Sequence, residues 1–142
     1  MYIADWGVIA RNLPMFLNGA YLTLKISLIA LVLSIPVGAV VGLCRISRNR
    51  IVSFAAACYV EFFRGVPLLV LLMWIFFVLG RFLRLGSYWS AIIGLAIFSG
   101  AFVAEIVRAG IEAIPRGQME AARASGMTYG QAMKLVILPQ AV

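Results

Sequence analysis

Long apolar runs broken by short charged clusters organise this chain. Residues 26–44 carry no charged side chain, and a helix of that length is enough to cross a hydrocarbon layer roughly 30 Å thick. A first membrane span is predicted over residues 20–43, with Pro36 placed to kink it. A second apolar segment occupies residues 51–80. As one continuous helix it would measure roughly 45 Å, more than a bilayer core accommodates. Because Glu61, Arg64, Gly65 and Pro67 fall in its first half, the crossing is expected near residues 62–80, preceded by a helix packed at the cytoplasmic side. A short connector with Arg81 and Arg84 leads to a third predicted span over residues 90–107, with Tyr88 and Trp89 as interface anchors.

Composition agrees with that pattern. Hydrophobic residues make up 64% of the 142 and charged residues only 12%, more apolar side chain than a soluble core of this size can bury. The expected fold class is all-α: a polytopic membrane protein with three complete transmembrane helices, bathed in lipid. The net charge is +7 with no histidine. In a soluble domain such basicity would point to nucleic acid; in a membrane chain its distribution matters more. Arg45, Arg48 and Arg50 lie in the first connector and Arg108, Arg116, Arg123 and Lys134 follow the third span, whereas Arg11, Arg81 and Arg84 lie on the other side. Seven against three places the first connector in the cytoplasm and the N-terminus, Asp5 included, outside.

The opening MYIADWGVIARNLPMF lacks the pattern of a signal peptide, so the first span is expected to be retained. Lys25 is expected to snorkel toward the outer headgroups. Cys44 and Cys58 stand in apolar context without C-x-x-C spacing and read as small buried residues.

After the third span comes a polar hinge, GQMEAARASGMTYGQAMKLVILPQ, residues 117–140. Pro115 suits the first turn of a helix and Gly126 a left-handed C-terminal cap, while Thr128 and Gln131 form the S/T-x-x-Q box that opens a second helix. Ala121, Ala122 and Ala124 make the first helix thin enough for another protein to approach closely, with Glu120 and Arg123 at its edges. Residues 135–138 begin a return to the membrane, the start of a further helix, which Pro139 is expected to interrupt. A DNA-reading helix-turn-helix is the competing account. Its second helix, YGQAMKLVIL, carries few polar side chains for base edges or phosphates, so nucleic acid is not an expected partner.

The stretch EAARASGMTYGQAMKLVILP resembles the permease signature of ATP-binding-cassette importers, carried here by Glu120, Ala121, Ala122, Gly126, Leu138 and Pro139, with Val136 where that family usually has Ile. YVEFFRGVPLLVLL is similar to the polar amino acid branch (the histidine, glutamate, glutamine and arginine type), with Val66 for its common Thr. So is GAFVAEIVRAGIEAIPRGQMEAA, with Phe102 for Tyr and Ala109 for Gly, and NGAYLTLKIS fits the start of that branch's first span. The resemblance runs from Phe16 to the end of the chain. It implies one permease domain over residues 1–142, with a coupling loop at residues 115–139 whose ATPase-coupling residues are Gly117, Glu120, Ala121, Ala122, Arg123, Gly126, Leu138 and Pro139. Implied partners are a cytoplasmic ATPase dimer, a second permease subunit (the same chain or a relative), an extracytoplasmic solute-binding protein and a polar amino acid substrate, in a bacterial inner membrane. Members of the family typically continue through two more spans, so the domain is expected to be incomplete at its C-terminus.

Glu61 with Arg64 and Glu105 with Arg108 are each three apart and can meet on one helix face. Such pairs either neutralise one another near the cytoplasmic interface or line a route for a charged or zwitterionic solute. Glu61, Arg64 and Glu105 are the candidates for that route. Gly65 and Pro67 would break the helix beside it and expose backbone groups. No catalytic set, metal ligand cluster or cofactor motif stands out: there is no His and no phosphate-binding G-x-x-x-x-G-K-[ST] loop. The chain reads as a non-enzyme, with nucleotide hydrolysis in another subunit. A secondary transporter, or a membrane partner that transports nothing, is the alternative.

Overall fold

The computed structural model describes residues 6–141, so Asp5 lies outside the described residues. Every regular element among them is helical. A short α1 (Trp6–Arg11) precedes α2 (Leu13–Arg45), then come α3 (Arg50–Gly65) and α4 (Leu68–Trp74), the latter running on through a wide π-helical stretch, Ile75–Gly80. α5 (Ser87–Glu112) is followed by α6 (Arg116–Ala124), α7 (Tyr129–Ala132), a second π-helical stretch (Met133–Ile137) and α8 (Leu138–Ala141). Two helices, α2 and α5, are each long and apolar enough to cross a membrane. α3 and α4 qualify only as one bent span, turned through 107° at their break.

That bend corrects the boundary expected at residue 62. Residues 62–65 continue α3, and the break falls at Val66 and Pro67. A proline pushes the residue before it out of helical backbone, and Val66 is extended at φ −91°, ψ 132°. Pro67, with no N–H to leave unsatisfied, then caps α4.

α5 is the centre of the fold, with buried positions from Ser90 to Ile111. Its main partner is α2, and the two run parallel. Lys25 Nζ lies 5.9 Å from the Tyr88 ring centroid at one end, and Arg45 pairs with Glu105 toward the other. Small residues permit this approach. Ala30, Ser34, Gly38 and Gly42 recur every fourth residue and are the buried positions of α2. α5 answers with Ala96, Gly100 and Ala104. A methyl group added at Gly38 would sit 2.4 Å from Val103, and one at Gly42 would sit 2.8 Å from the Ala104 carbonyl. Stripes of this kind bring membrane helices into backbone contact where no hydrophobic effect drives them together.

Parallel α2 and α5 oblige residues 46–86 to return the chain from one end of the pair to the other. α4 lies antiparallel along α5, with Leu72 and Ile75 near Gly94 and Gly80 near Ser90. α3 is anchored where the Tyr59 hydroxyl donates to the Ile97 carbonyl at 2.7 Å. α2 passes through Pro36 as a single helix. Cys44 is half-buried and Cys58 is exposed, so the expectation that both are buried fails for Cys58, which faces outward from α3.

Candidate functional site

Two groups of residues stand out, one made by the hinge and one by charges from three helices.

The hinge forms as its local chemistry requires. Pro115 is the residue before the first helical turn of α6, one position earlier than expected. Gly126 has φ +85°. Its N–H donates to the Arg123 carbonyl at 3.0 Å and the Met127 N–H donates to the Ala122 carbonyl at 3.3 Å, the paired bonds that close a helix through a left-handed glycine. The Thr128 hydroxyl accepts from the Gln131 N–H at 3.3 Å, and the Thr128 N–H donates to Gln131 Oε1 at 2.8 Å, completing the capping box.

Packing divides the alanines. On α6, Gly117, Glu120, Ala121 and Ala124 are exposed along one face, as are Arg123 and Gly126. Ala122 is 6% exposed and faces inward, toward the Met133–Ile137 stretch on which α6 packs. Ala122, expected on the docking side, therefore belongs to the hinge's own core, and the small residues exposed on α6 are Gly117, Ala121 and Ala124. Pro139 does not interrupt the last helix. The Leu138 N–H donates five residues back, to the Met133 carbonyl, and this widened turn moves backbone aside where the proline ring would otherwise press on the carbonyl four residues earlier. Leu138 and Pro139 open α8, which returns alongside α5: a methyl group at Gly110 would lie 2.8 Å from the Ala141 carbonyl.

The charges gather at the end of α2. Arg45 Nη1 donates to Glu105 Oε2 at 2.5 Å. Arg108 donates to Glu105 Oε1, from Nε at 3.1 Å and also from Nη2, and pairs through Nη1 with Glu112. Arg64 stands 3.9 Å from Glu105, and Glu61 stands 3.9 Å from Arg45. Glu105 is thus the hub. The Glu105–Arg108 pair forms as the spacing allows, whereas Glu61 and Arg64 each take a partner on another helix rather than each other. Arg45 is the member that helix-face spacing could not find, because its partners are distant in sequence; its place at the end of an apolar run next to Arg48 and Arg50 was the available signal.

Exposure separates the roles open to these groups. Glu105 and Arg45 keep 24% and 16% of their side-chain surface, whereas Glu61 keeps 74% and Arg64 keeps 39%. Arg64 also lies 5.4 Å from the centroid of the Phe102 ring. Behind it, in the angle between α3 and α4, an apolar cavity of about 340 Å³ is lined by Phe62, Phe63, Val66, Trp74 and Ile97 among others.

Comparison with known proteins gives the arrangement its context. Residues 34–142 match the family model described as "Binding-protein-dependent transport system inner membrane component". The chain is 41% identical to the glutamate/aspartate import permease protein GltK of Escherichia coli O6:H1, over 99% of this chain and 67% of that one. It is 40% identical to the arginine transport system permease protein ArtQ of Bacillus subtilis, over 96% of this chain and 64% of that one. The chain thus spans about two thirds of the length of these relatives. Among solved structures, that of an amino acid ABC transporter with histidines superposes with a TM-score of 0.86 at 39% identity, covering 99% of this chain and 66% of that one. An inward-facing MetNI methionine ABC transporter superposes at 0.74 and 28% identity, covering 92% and 64%. With most of its length matched by the family model and by relatives of this identity, the chain belongs to the inner membrane components of binding-protein-dependent transport systems.

Proposed function

We propose that this chain is a permease subunit of an ATP-binding-cassette importer for polar amino acids, lining part of the path and receiving force from a cytoplasmic ATPase. The observation that carries this is the likeness, across 95% or more of the chain, to permeases whose names specify glutamate and aspartate, arginine and glutamine. Glu120 and Arg123 on the open face of α6 would make the polar contacts with the ATPase, and the small side chains of Gly117, Ala121 and Ala124 would let its surface come close. Gly126 sets the angle at which α6 is presented. Leu138 and Pro139 lead movement of the hinge back along α5.

Three crossings follow in this account: α2, the bent α3–α4 pair, and α5. The N-terminus is then outside, and Arg48, α6 and α7 are cytoplasmic. The parallel pairing of α2 and α5 supports it, since the chain between them has to travel the length of the bundle. An ATPase dimer that closes on ATP would draw in the coupling helices of two permease subunits and reorient the spans, while a solute-binding protein delivers substrate outside.

At the charged cluster, Glu105 is occupied by Arg45 and Arg108 and acts structurally. Glu61 and Arg64 have surface to spare, and together they match the ammonium and carboxylate of a zwitterion. They are the route candidates that remain.

The deciding experiment is to express this chain with candidate ATP-binding-cassette ATPases from the same genome, purify any pair that associates and measure uptake into proteoliposomes. ATP-dependent uptake of a polar amino acid, requiring both subunits, is the expected result. Uptake driven by an ion gradient without ATP would favour a secondary transporter, and neither copurification nor uptake would leave a non-transporting partner.

A further inference from the structure

Four hydrogen bonds tie the turn between α2 and α3 to itself and to the start of α3. The Ser47 N–H donates to the Cys44 carbonyl at 3.2 Å, and the Asn49 N–H donates to Ser47 Oγ at 3.3 Å. Asn49 Oδ1 caps α3 by accepting from the Ile51 N–H at 3.0 Å, and the Ser53 hydroxyl donates back to the Arg45 carbonyl at 2.7 Å. Arg48 is therefore held out from a fixed frame. Its guanidinium carbon lies 4.6 Å from the centroid of the Tyr129 ring, and Tyr129 is the first residue of α7, directly after the Thr128 capping box.

The surroundings of Tyr129 give this contact weight. One cleft, of about 610 Å³, separates α7 from the end of α5 and from α6, with Ile111, Met119 and Met133 on its walls. A second, of about 360 Å³, separates it from the end of α2, with Leu43 and Ile46 on its walls. Tyr129 borders both. Ala132, 0% exposed, seats one end of α7 by packing, but Tyr129 at the other end is bordered by open clefts on two sides, where a directional contact adds a restraint that packing does not supply. A planar guanidinium over a ring supplies one, and does so better than an ammonium would.

We propose that Arg48 and Tyr129 are positioning residues of the coupling step: a strut that ties the hinge to the end of α2, so that hinge displacement reaches the first span directly as well as through α5. This rests on the coupling role given to the hinge above. The chain itself connects α6 and α7 only to α5 and α8. The strut is the cross-link through which α2, whose last residue, Arg45, precedes Tyr129 by 84 positions, would move with them.

The test is uptake per ATP hydrolysed, measured on the reconstituted transporter containing this chain. Arg48→Ala and Tyr129→Leu should each lower the ratio about two- to fivefold with ATP hydrolysis retained, and Tyr129→Phe, which keeps the ring, should restore it. The double variant should fall no further than the worse single one, because both remove the same contact. An unchanged ratio in Arg48→Ala, an equal loss in Tyr129→Phe, or losses that multiply in the double variant would each overturn the strut. If Tyr129→Leu does not fold, Arg48→Ala decides alone, since Arg48 is exposed. A parent complex without ATP-dependent uptake would instead remove the importer reading, and the strut with it.

Discussion

Arg45, the last residue of α2, and Glu105, in the C-terminal half of α5, are joined by a 2.5 Å hydrogen bond across 60 positions of sequence. The bond locks the register set by Gly38 and Gly42. Removing the Glu105 charge leaves Arg45 and Arg108 facing each other without their shared partner. Glu105→Ala should therefore destabilise the chain by on the order of 1–3 kcal/mol, less than for a fully buried pair because solvent still reaches the site. Thermal unfolding of the purified protein in detergent should show a lowered midpoint; an unchanged one would mean that the cluster is held by packing alone.

The arrangement of the two open charges leads to a second prediction. Exchanging Glu61 and Arg64 would be harmless if they were each other's partner. In this fold Glu61→Arg faces Arg45 and Arg64→Glu faces Glu105. The double exchange should lower stability by about 0.5–1 kcal/mol more than the double neutralisation Glu61→Gln with Arg64→Gln. Equal melting of the two proteins would argue against these pairings.

Helix contact is tested at the glycines. Gly38→Ala places a methyl group 2.4 Å from Val103 and 2.9 Å from the Gly100 carbonyl, so α2 and α5 must separate, at about 1–3 kcal/mol. Gly19→Ala in the same helix meets nothing within 4 Å and should stabilise by roughly 0.5–1 kcal/mol through helix propensity. Opposite signs in detergent melting are expected. Similar effects at both positions would mean that α2 and α5 do not meet at Gly38.

Gly126 is a backbone requirement without a steric one. Nothing lies within 4 Å of an added methyl group, yet φ is +85°. Gly126→Ala should cost about 1 kcal/mol or more and tilt α6, weakening capture of the ATPase in a pull-down while leaving membrane insertion unchanged. Gly130→Ala, in helical backbone with equal room, is the control. Normal capture by both variants would reduce the hinge to a connector.

Topology is checked by labelling single cysteines from outside intact cells, in a background without Cys44 and Cys58. Arg84→Cys, on the connector before α5, should react. Arg48→Cys and Arg123→Cys should not; strong labelling at Arg123→Cys would reverse the orientation.

What could be read along the chain was what short stretches decide for themselves. Apolar runs long enough to span became α2 and α5, Gly126 took its left-handed cap, and Thr128 and Gln131 closed their box, because each depends on a few neighbouring residues. Pro67 broke the second segment for an equally local reason, although the exact position of the break was not read from it. The tertiary structure decided which partner each group took. Glu61 and Arg64 are spaced to pair, but spacing only permits a contact, and Arg45 and Glu105 arrive from other helices to compete for them. Three alanines in α6 look alike in sequence, and only packing against the Met133–Ile137 stretch turns Ala122 inward. The pairing of α2 with α5 likewise rests on two stripes of small residues finding a common register, which neither helix specifies alone.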